Sequence, residues 1–219
     1  MKISVAMIVL NEEKNILPCL KSLTFADEII IIDGGSEDKT RDLILNLQDP
    51  RIKLFVNPWQ GHFGVQRDTS FKYCTGSWIM RVDADEIVGR ILRREIRSVL
   101  VDLDPSVQNV RIRQVNLHSD RNHYAANLGG FETWPRIFRN REDLRWVGRV
   151  HEFVNGSEKN CINWSVAVYH FGWLDKEKYY QKGEMYSKIP GSGFSTPEEL
   201  VNREYIVKSL PRVGKGRLW

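Results

Sequence analysis

The stretch "EIIIIDGGS" (residues 28–36) sets four isoleucines in a row and closes them with an aspartate and two glycines. A strand with one wet face alternates apolar and polar residues, whereas a strand buried on both faces has no need to. This run does not alternate, so it reads as an interior strand of a parallel sheet covered on both sides. "KISVAMIV" (2–9), "IKLFV" (52–56) and "SWIMRVD" (77–83) are further short apolar runs rich in strand-forming residues. Segments between them suit helices. Leu17 to Leu23 is one, with Pro18 tolerated in a first turn. Residues 37–47 form a second behind Ser36 as N-cap. Residues 62–75 form a third, ended by Gly76 as a left-handed cap. Strands alternating with helices predict an α/β fold, a mostly parallel sheet flanked by helices.

Beyond about residue 105 the texture changes. "NVRIRQVN" (109–116) alternates like a half-exposed strand, and "TWPRIFRN" (133–140) and "NWSVAVYHF" (163–171) are strand candidates. Helices are expected over 175–189 and over 196–210, the second opening on a capping box from Thr196 to Glu199 with Pro197 behind it. The chain therefore divides into residues 1–105, a smaller mixed half over 106–173, and a helical tail over 174–219.

Ligands of an open parallel sheet bind beyond the carboxyl ends of its strands. The first run ends in Asn11-Glu12-Glu13, the second in Asp33-Gly34-Gly35-Ser36 and the fourth in Asp83-Ala84-Asp85-Glu86. Three acidic clusters on one rim point to a ligand site. Like charges about 4 Å apart cost roughly 4 kcal/mol at an effective dielectric near 20, so "VDADE" (82–86) is either a solvated turn or a cation site. In an extended segment Asp83 and Asp85 face the same way, which suits Mg²⁺ or Mn²⁺ completed by phosphate oxygens. Neither a P-loop nor a G-x-G-x-x-G fingerprint follows the first strand.

The chain has 219 residues, 42% of them hydrophobic, and a formal net charge of +4. That suits one compact domain, and no apolar run reaches the roughly 18 residues of a membrane span. Cys19, Cys74 and Cys161 are odd in number and far apart, as expected of reduced thiols in a cytoplasmic protein. The basic runs at 89–97 and 136–149 read as solvated faces, or as contacts with an anionic acceptor or membrane surface.

"SVAMIVLNEEKNI", "ADEIIIIDGGSEDKT", "GVQRD", "GSWIMRVDADE" and the later "VHE" resemble the inverting family 2 glycosyltransferases of GT-A fold, above all the lipopolysaccharide-core branch. The likeness runs in order over residues 1–90 and thins to "WPRIFR", "WVGRVHE" and "VYHF" after 105. It implies transfer of a sugar from a nucleotide-diphosphate donor, UDP in most of the family, to a hydroxyl of a saccharide or glycolipid. It further implies that Asn11, Glu13 and Asp33 hold the nucleobase and that Arg67 faces the nucleotide. Asp83 would contact ribose or metal, and Asp85 would ligate Mg²⁺ or Mn²⁺, joined by His170. Glu152 would be the catalytic base, with Glu132 as the runner-up. Asp68 stands where the family usually carries asparagine and receives no role.

Trp134 and Trp146 are candidates to stack on sugars or to pack in the core, and Arg136 and Arg139 to bind phosphates or stay solvated. Glycine-bearing loops over 57–64 and 118–130 are candidates to close over the donor. The expected location is the cytoplasm, with a peripheral contact at the inner membrane face and a homodimer left open; no nucleic-acid partner is expected. The competing readings are a sugar-1-phosphate nucleotidyltransferase, which would start with a glycine-rich loop, and a basic nucleic-acid-binding protein, which leaves the acidic rim unexplained. A metal hydrolase lacks the second histidine of H-E-x-x-H.

Overall fold

A computed structural model describes residues 1–118, 123–125, 132–172, 174, 176–190 and 207–209. In chain order its elements are β1 (Ile3–Val9), α1 (Ile16–Lys21), β2 (Glu28–Asp33), α2 (Thr40–Leu45), β3 (Ile52–Val56), α3 (Phe63–Lys72), β4 (Trp78–Arg81), β5 (Glu86–Val88), α4 (Arg90–Asp102), β6 (Asn109–Asn116), β7 (His123–Ala125), β8 (Glu132–Arg139), β9 (Trp146–Val147), β10 (Phe153–Val154), β11 (Cys161–His170), α5 (Lys176–Ser187) and β12 (Val207–Ser209).

One sheet runs β3-β2-β1-β4-β8-β6-β11-β5. The pairs β1–β2, β2–β3, β1–β4 and β6–β11 are parallel, while β8 is antiparallel to both β4 and β6, and β5 to β11. Two short antiparallel pairs, β9–β10 and β7–β12, stand apart from it.

The isoleucines of β2 are explained by the two layers. Ile29 and Ile31 enter the core under α1, α2 and α4, where Ile16, Leu20, Ile44, Leu92 and Ile96 meet them. Ile30 and Ile32 enter the opposite core with Phe71 of α3, Trp146 and Val154. Each face needs its own apolar residue at every second position, so the run has none to spare for solvent.

Several boundaries differ from the sequence expectation. Ser36 does not cap α2, whose N-cap is Lys39; its hydroxyl and N–H go to Asp33 instead. Gly76 is not a left-handed cap, because α3 ends at Tyr73 in a right-handed conformation. Its missing side chain serves packing: a Cβ there would lie 2.6 Å from Ser4 Oγ and 2.7 Å from Ser4 N. The basic run at 89–97 opens α4, which continues to Asp102 with Leu92, Ile96 and Leu100 as a buried stripe, and the short strand β5 precedes it. The helix expected over 196–210 is contradicted at residues 207–209, which pair with β7 as a strand. Its capping box at Thr196, like most of the 118–130 loop, lies outside the described residues.

Candidate active site at the carboxyl rim

Because β1, β2 and β4 are parallel, their carboxyl ends share one rim. β8 runs the other way and so begins there, with Glu132 opposite Gln114 of β6. β6 and β11 end on the same side at Asn116 and His170, which are register partners.

On the β1–β2 side the expected nucleobase residues knit a loop. Asn11 adopts φ 54°, a left-handed conformation asparagine tolerates. Its Oδ1 accepts the Glu37 N–H at 2.8 Å, and its own N–H donates to Ser36 Oγ at 2.9 Å. Asp33 is fully buried and accepts from Ser36 N at 3.0 Å and Ser36 Oγ at 2.5 Å, with Arg41 Nε at 3.4 Å. Glu13 accepts the Lys39 N–H at 3.1 Å. The three side chains converge on the 36–40 segment and fix its shape beside the rim.

"VDADE" is not extended beyond β4. Ala84 and Asp85 form a turn closed by the Glu86 N–H to Asp83 C=O bond of 3.0 Å, so the alternation expected to aim Asp83 and Asp85 alike does not apply. Asp83 turns to arginines: Oδ1 accepts from Arg67 Nη1 at 2.7 Å, and Oδ2 lies 3.6 Å from Arg81 Nη2 and 3.9 Å from Arg136 Nη1. Burial would favour the neutral acid, but these three cations hold the Asp83 carboxyl well below the usual carboxylate range. Glu86 forms a bidentate pair with Arg136 at 2.9 and 2.8 Å, both side chains 1% exposed, and its Oε2 also accepts the Asp83 N–H at 2.9 Å. Gln114 Oε1 accepts from Arg136 as well. Arg136 is thus neither solvated nor open to a phosphate, and Arg139 is spent on the Val107 carbonyl and the Trp78 ring.

Arg67 joins two halves of the site. Its Nε donates to Glu152 Oε1 at 2.6 Å while Nη1 holds Asp83. Burial alone would lower its pKa, but the two carboxylates outweigh that and raise it. Glu152 arrives there because the 146–152 segment is tied to α3. Asp68 accepts the Trp146 N–H at 2.7 Å, and Phe63 N–H donates to the Arg149 carbonyl at 2.9 Å. A Cβ on Gly64 would lie 2.6 Å from the Gly148 carbonyl, so that approach requires glycine. Asp68 therefore has a positioning task that the sequence did not disclose. Trp146 is buried against Phe71 and Phe138, whereas Trp134 is 48% exposed.

Asp85 faces His170, with Oδ2 3.3 Å from Nε2. Asn116 Oδ1 lies 3.0 Å from His170 Nδ1 and accepts from Gln114 Nε2 at 2.8 Å, which orients the imidazole. Nε2 thus faces a carboxylate oxygen, an arrangement that an N–H donated to Asp85 or a cation held between the two satisfies. Gly172 leaves that space open: a Cβ would sit 2.6 Å from Asp85 Oδ2 and 2.7 Å from His170 Nε2. Among the described residues no set of three His, Cys, Asp or Glu donors forms. The pair fits a hard divalent ion that draws its other ligands from phosphate and water. The residues the sequence left unread are Arg81, Gln114 and Asn116; an arginine inside the apolar run "SWIMRV" was the available signal for the first.

This sheet, with its acidic rim and an antiparallel half folded onto a parallel one, is a GT-A fold. The profile of glycosyl transferase family 2 matches residues 4–157, and the chain belongs to that family. A lipopolysaccharide core biosynthesis glycosyltransferase, LpsC of Rhizobium meliloti (strain 1021), is 30% identical over 201 residues, covering 85% of this chain and 69% of LpsC. An uncharacterized glycosyltransferase of Rickettsia bellii (strain RML369-C) is 34% identical over 206 residues, 85% of this chain and 65% of the relative. Relatives can be much longer: the chain covers 45% of a TPR repeat-containing protein of Synechococcus elongatus and 40% of the glycosyltransferase SunS of Bacillus phage SPbeta. S. aureus TarS 1–349 superposes with TM-score 0.57 at 16% identity, over 87% of this chain and 66% of TarS 1–349. Its complex with UDP-GlcNAc does so at 0.56. No helix among the described residues is long and apolar enough to cross a membrane.

Proposed function

We propose that this chain is an inverting glycosyltransferase that moves a sugar from a UDP-sugar to a hydroxyl of a saccharide or glycolipid, in lipopolysaccharide or related cell-envelope assembly on the cytoplasmic side of the membrane. Residues 1–105 hold the donor and 106–173 the acceptor. The observation that carries the reading is the rim itself, where Asp85 faces His170 and Arg67 ties Asp83 to Glu152. Family membership, the LpsC relative and the UDP-GlcNAc complex of TarS support it over a nucleotidyltransferase or a nucleic-acid-binding protein.

The nucleoside lies across Asn11, Glu13 and Asp33, beside the loop they shape. Asp85 and His170 would hold Mg²⁺ or Mn²⁺, which neutralises charge on the leaving diphosphate when bound. Glu152 Oε1 is held by Arg67, and its second oxygen takes the proton of the acceptor hydroxyl. The acceptor oxygen bonds to the anomeric carbon as the bond from that carbon to the diphosphate oxygen breaks, and its electron pair leaves with the diphosphate. Such base catalysis contributes about 10²–10⁴-fold.

Thermal unfolding with a panel of nucleoside diphosphates, each with Mn²⁺ and with EDTA, tests this. A ligand at 100 times its Kd adds about 2.7 kcal/mol. The expected result is a uridine-selective, metal-dependent rise in midpoint that vanishes in Asp85→Asn. No rise with any nucleotide overturns the reading.

A further inference from the structure

Trp78 and Met80 of β4 enter the core under α1, α2 and α4, and Ile79 enters the one under α3. Arg81 follows Ile79 onto the α3 face, where its Cζ stands 5.6 Å from the centre of the Trp146 ring. A cation in an apolar layer needs acceptors. Arg67 has Asp83 and Glu152, and Arg136 has Glu86 and Gln114. The Arg81 side chain makes no hydrogen bond among the described residues. Its ion-pair contact, Asp83 Oδ2 at 3.6 Å, is an oxygen that Arg136 also approaches, at 3.9 Å. The β4–β8 pairing ends at Met80 opposite Ile137, and the residues just beyond it, Arg81 and Arg136, bring two like charges to one carboxylate oxygen. Burial, followed by the nearby Arg136 charge, lowers the Arg81 pKa to about 10.

The Nε of Arg81, the Nε of Arg136 and the indole Nε1 of Trp146 are all buried without an acceptor. Buried donors are nearly always paired, so an Arg81 guanidinium without an acceptor, beside the accessible rim, marks where a ligand oxygen supplies one. The Arg81 side chain remains 15% accessible, and its carboxylate neighbour Asp83 is 25% accessible on the rim.

We propose that Arg81 is an anion-binding residue that takes a phosphoryl or carboxyl oxygen of a ligand bound at the carboxyl rim. The identity of that ligand rests on the glycosyl-transfer reading. The anion is then either the donor's diphosphate or an acidic group on the acceptor sugar next to Glu152, one arginine away. A neutral acceptor with a donor held only through its nucleoside and metal would leave Arg81 without purpose.

Calorimetric titration of the full chain separates these sources. Inorganic pyrophosphate without metal or nucleotide probes the anion site itself. UDP against uridine, both with Mn²⁺, probes the donor, and glucose 6-phosphate against glucose on UDP-saturated protein probes the acceptor. Arg81→Met keeps the aliphatic stem over Trp146 and removes the charge, and a lost charged hydrogen bond corresponds to about a ten- to hundredfold weaker Kd. Arg81→Lys, which keeps charge without the fork, is expected to lose less. Weaker UDP with unchanged uridine assigns the anion to the donor. Weaker glucose 6-phosphate with unchanged UDP assigns it to the acceptor. Unchanged affinity for all three anions in folded Arg81→Met overturns the proposal, and so does a wild-type protein that binds none of them. If Arg81→Met does not fold, Arg81→Gln carries the same comparison. Failure of wild-type protein to bind uridine or UDP would sink the glycosyl-transfer reading but leave the pyrophosphate comparison standing.

Discussion

Glu86→Gln is expected to be the most damaging single-atom change in this molecule. Glu86 and Arg136 are both 1% exposed and share two hydrogen bonds of 2.9 and 2.8 Å, and Glu86 Oε2 also accepts the Asp83 N–H. Glutamine keeps the shape and one acceptor oxygen but removes the charge and turns one acceptor into a donor facing a guanidinium. Removing one partner of a buried pair leaves the other charge uncompensated and costs about 3–5 kcal/mol. For a chain of this size each kcal/mol lowers the melting midpoint by about 2–4 °C, so a drop of roughly 6–20 °C is expected. Urea denaturation of Glu86→Gln, Arg136→Met and the double variant gives the coupling. Once both charges are gone the double variant should be less destabilised than the sum of the singles by well over 1 kcal/mol. Additive single effects, or a midpoint within about 2 °C of wild type for Glu86→Gln, would refute the claim that this pair organises the turn.

Glu152→Gln retains the oxygen that Arg67 holds but cannot take a proton. Its kcat is expected to fall about 10²–10⁴-fold with UDP affinity nearly unchanged, and an equal loss of UDP affinity would argue against the base role. Gly172→Ala places a methyl 2.6 Å from Asp85 Oδ2 and 2.7 Å from His170 Nε2; it should abolish Mn²⁺-dependent stabilisation by UDP, and an unaltered Mn²⁺ titration would remove that pair from the metal site. Glu28 lies at the far end of β2, bonded to Ser4, Thr75 and Lys2. Burial opposes its ionisation, but these donors outweigh it and bring its pKa from 4.5 down to about 2. A carboxyl depressed on folding stabilises above its unfolded pKa, so about 2 kcal/mol present at pH 6 is expected to drain away between pH 4.5 and 2. Glu28→Gln should flatten that limb in acid denaturation; an unchanged limb would mean the network is not linked to folding.

The parallel half of the fold was readable because burial on two faces leaves a pattern that no other environment imposes. "EIIIID" and "IKLFV" have the strand limits expected of them, 28–33 and 52–56, and "NVRIRQVN" those of β6, 109–116. Caps were less legible. Ser36 has the chemistry of an N-cap, but Asp33 lies three residues back and takes its hydroxyl first. The 207–209 strand eluded reading because its partner, β7, lies more than 80 residues away, and local propensity carries nothing about such a pairing.

The charged cluster was half-legible, for a physical reason. Carboxylates announced themselves by ending strands, but their partners come from α3, β4 and β8 and are far apart in sequence. Beside the arginine in "SWIMRV", Pro135 was a local sign. Proline inside a central strand belongs at a bulge, and the β6–β8 register does slip between Val110–Ile137 and Arg111–Pro135, leaving Arg136 as the extra residue. A bulge re-aims its side chain, and Arg136 turns to Glu86. Asp83, Glu86 and Glu152 are thereby set against Arg67, Arg81 and Arg136, so the crowding in "VDADE" needs no cation to offset it. Asp85 faces His170 and not these three arginines, and the proposed metal has to be justified at that pair. If Mn²⁺ stabilised the protein equally well in Asp85→Asn, the cation would have no remaining site on this rim, while the arginine cluster would stand unchanged.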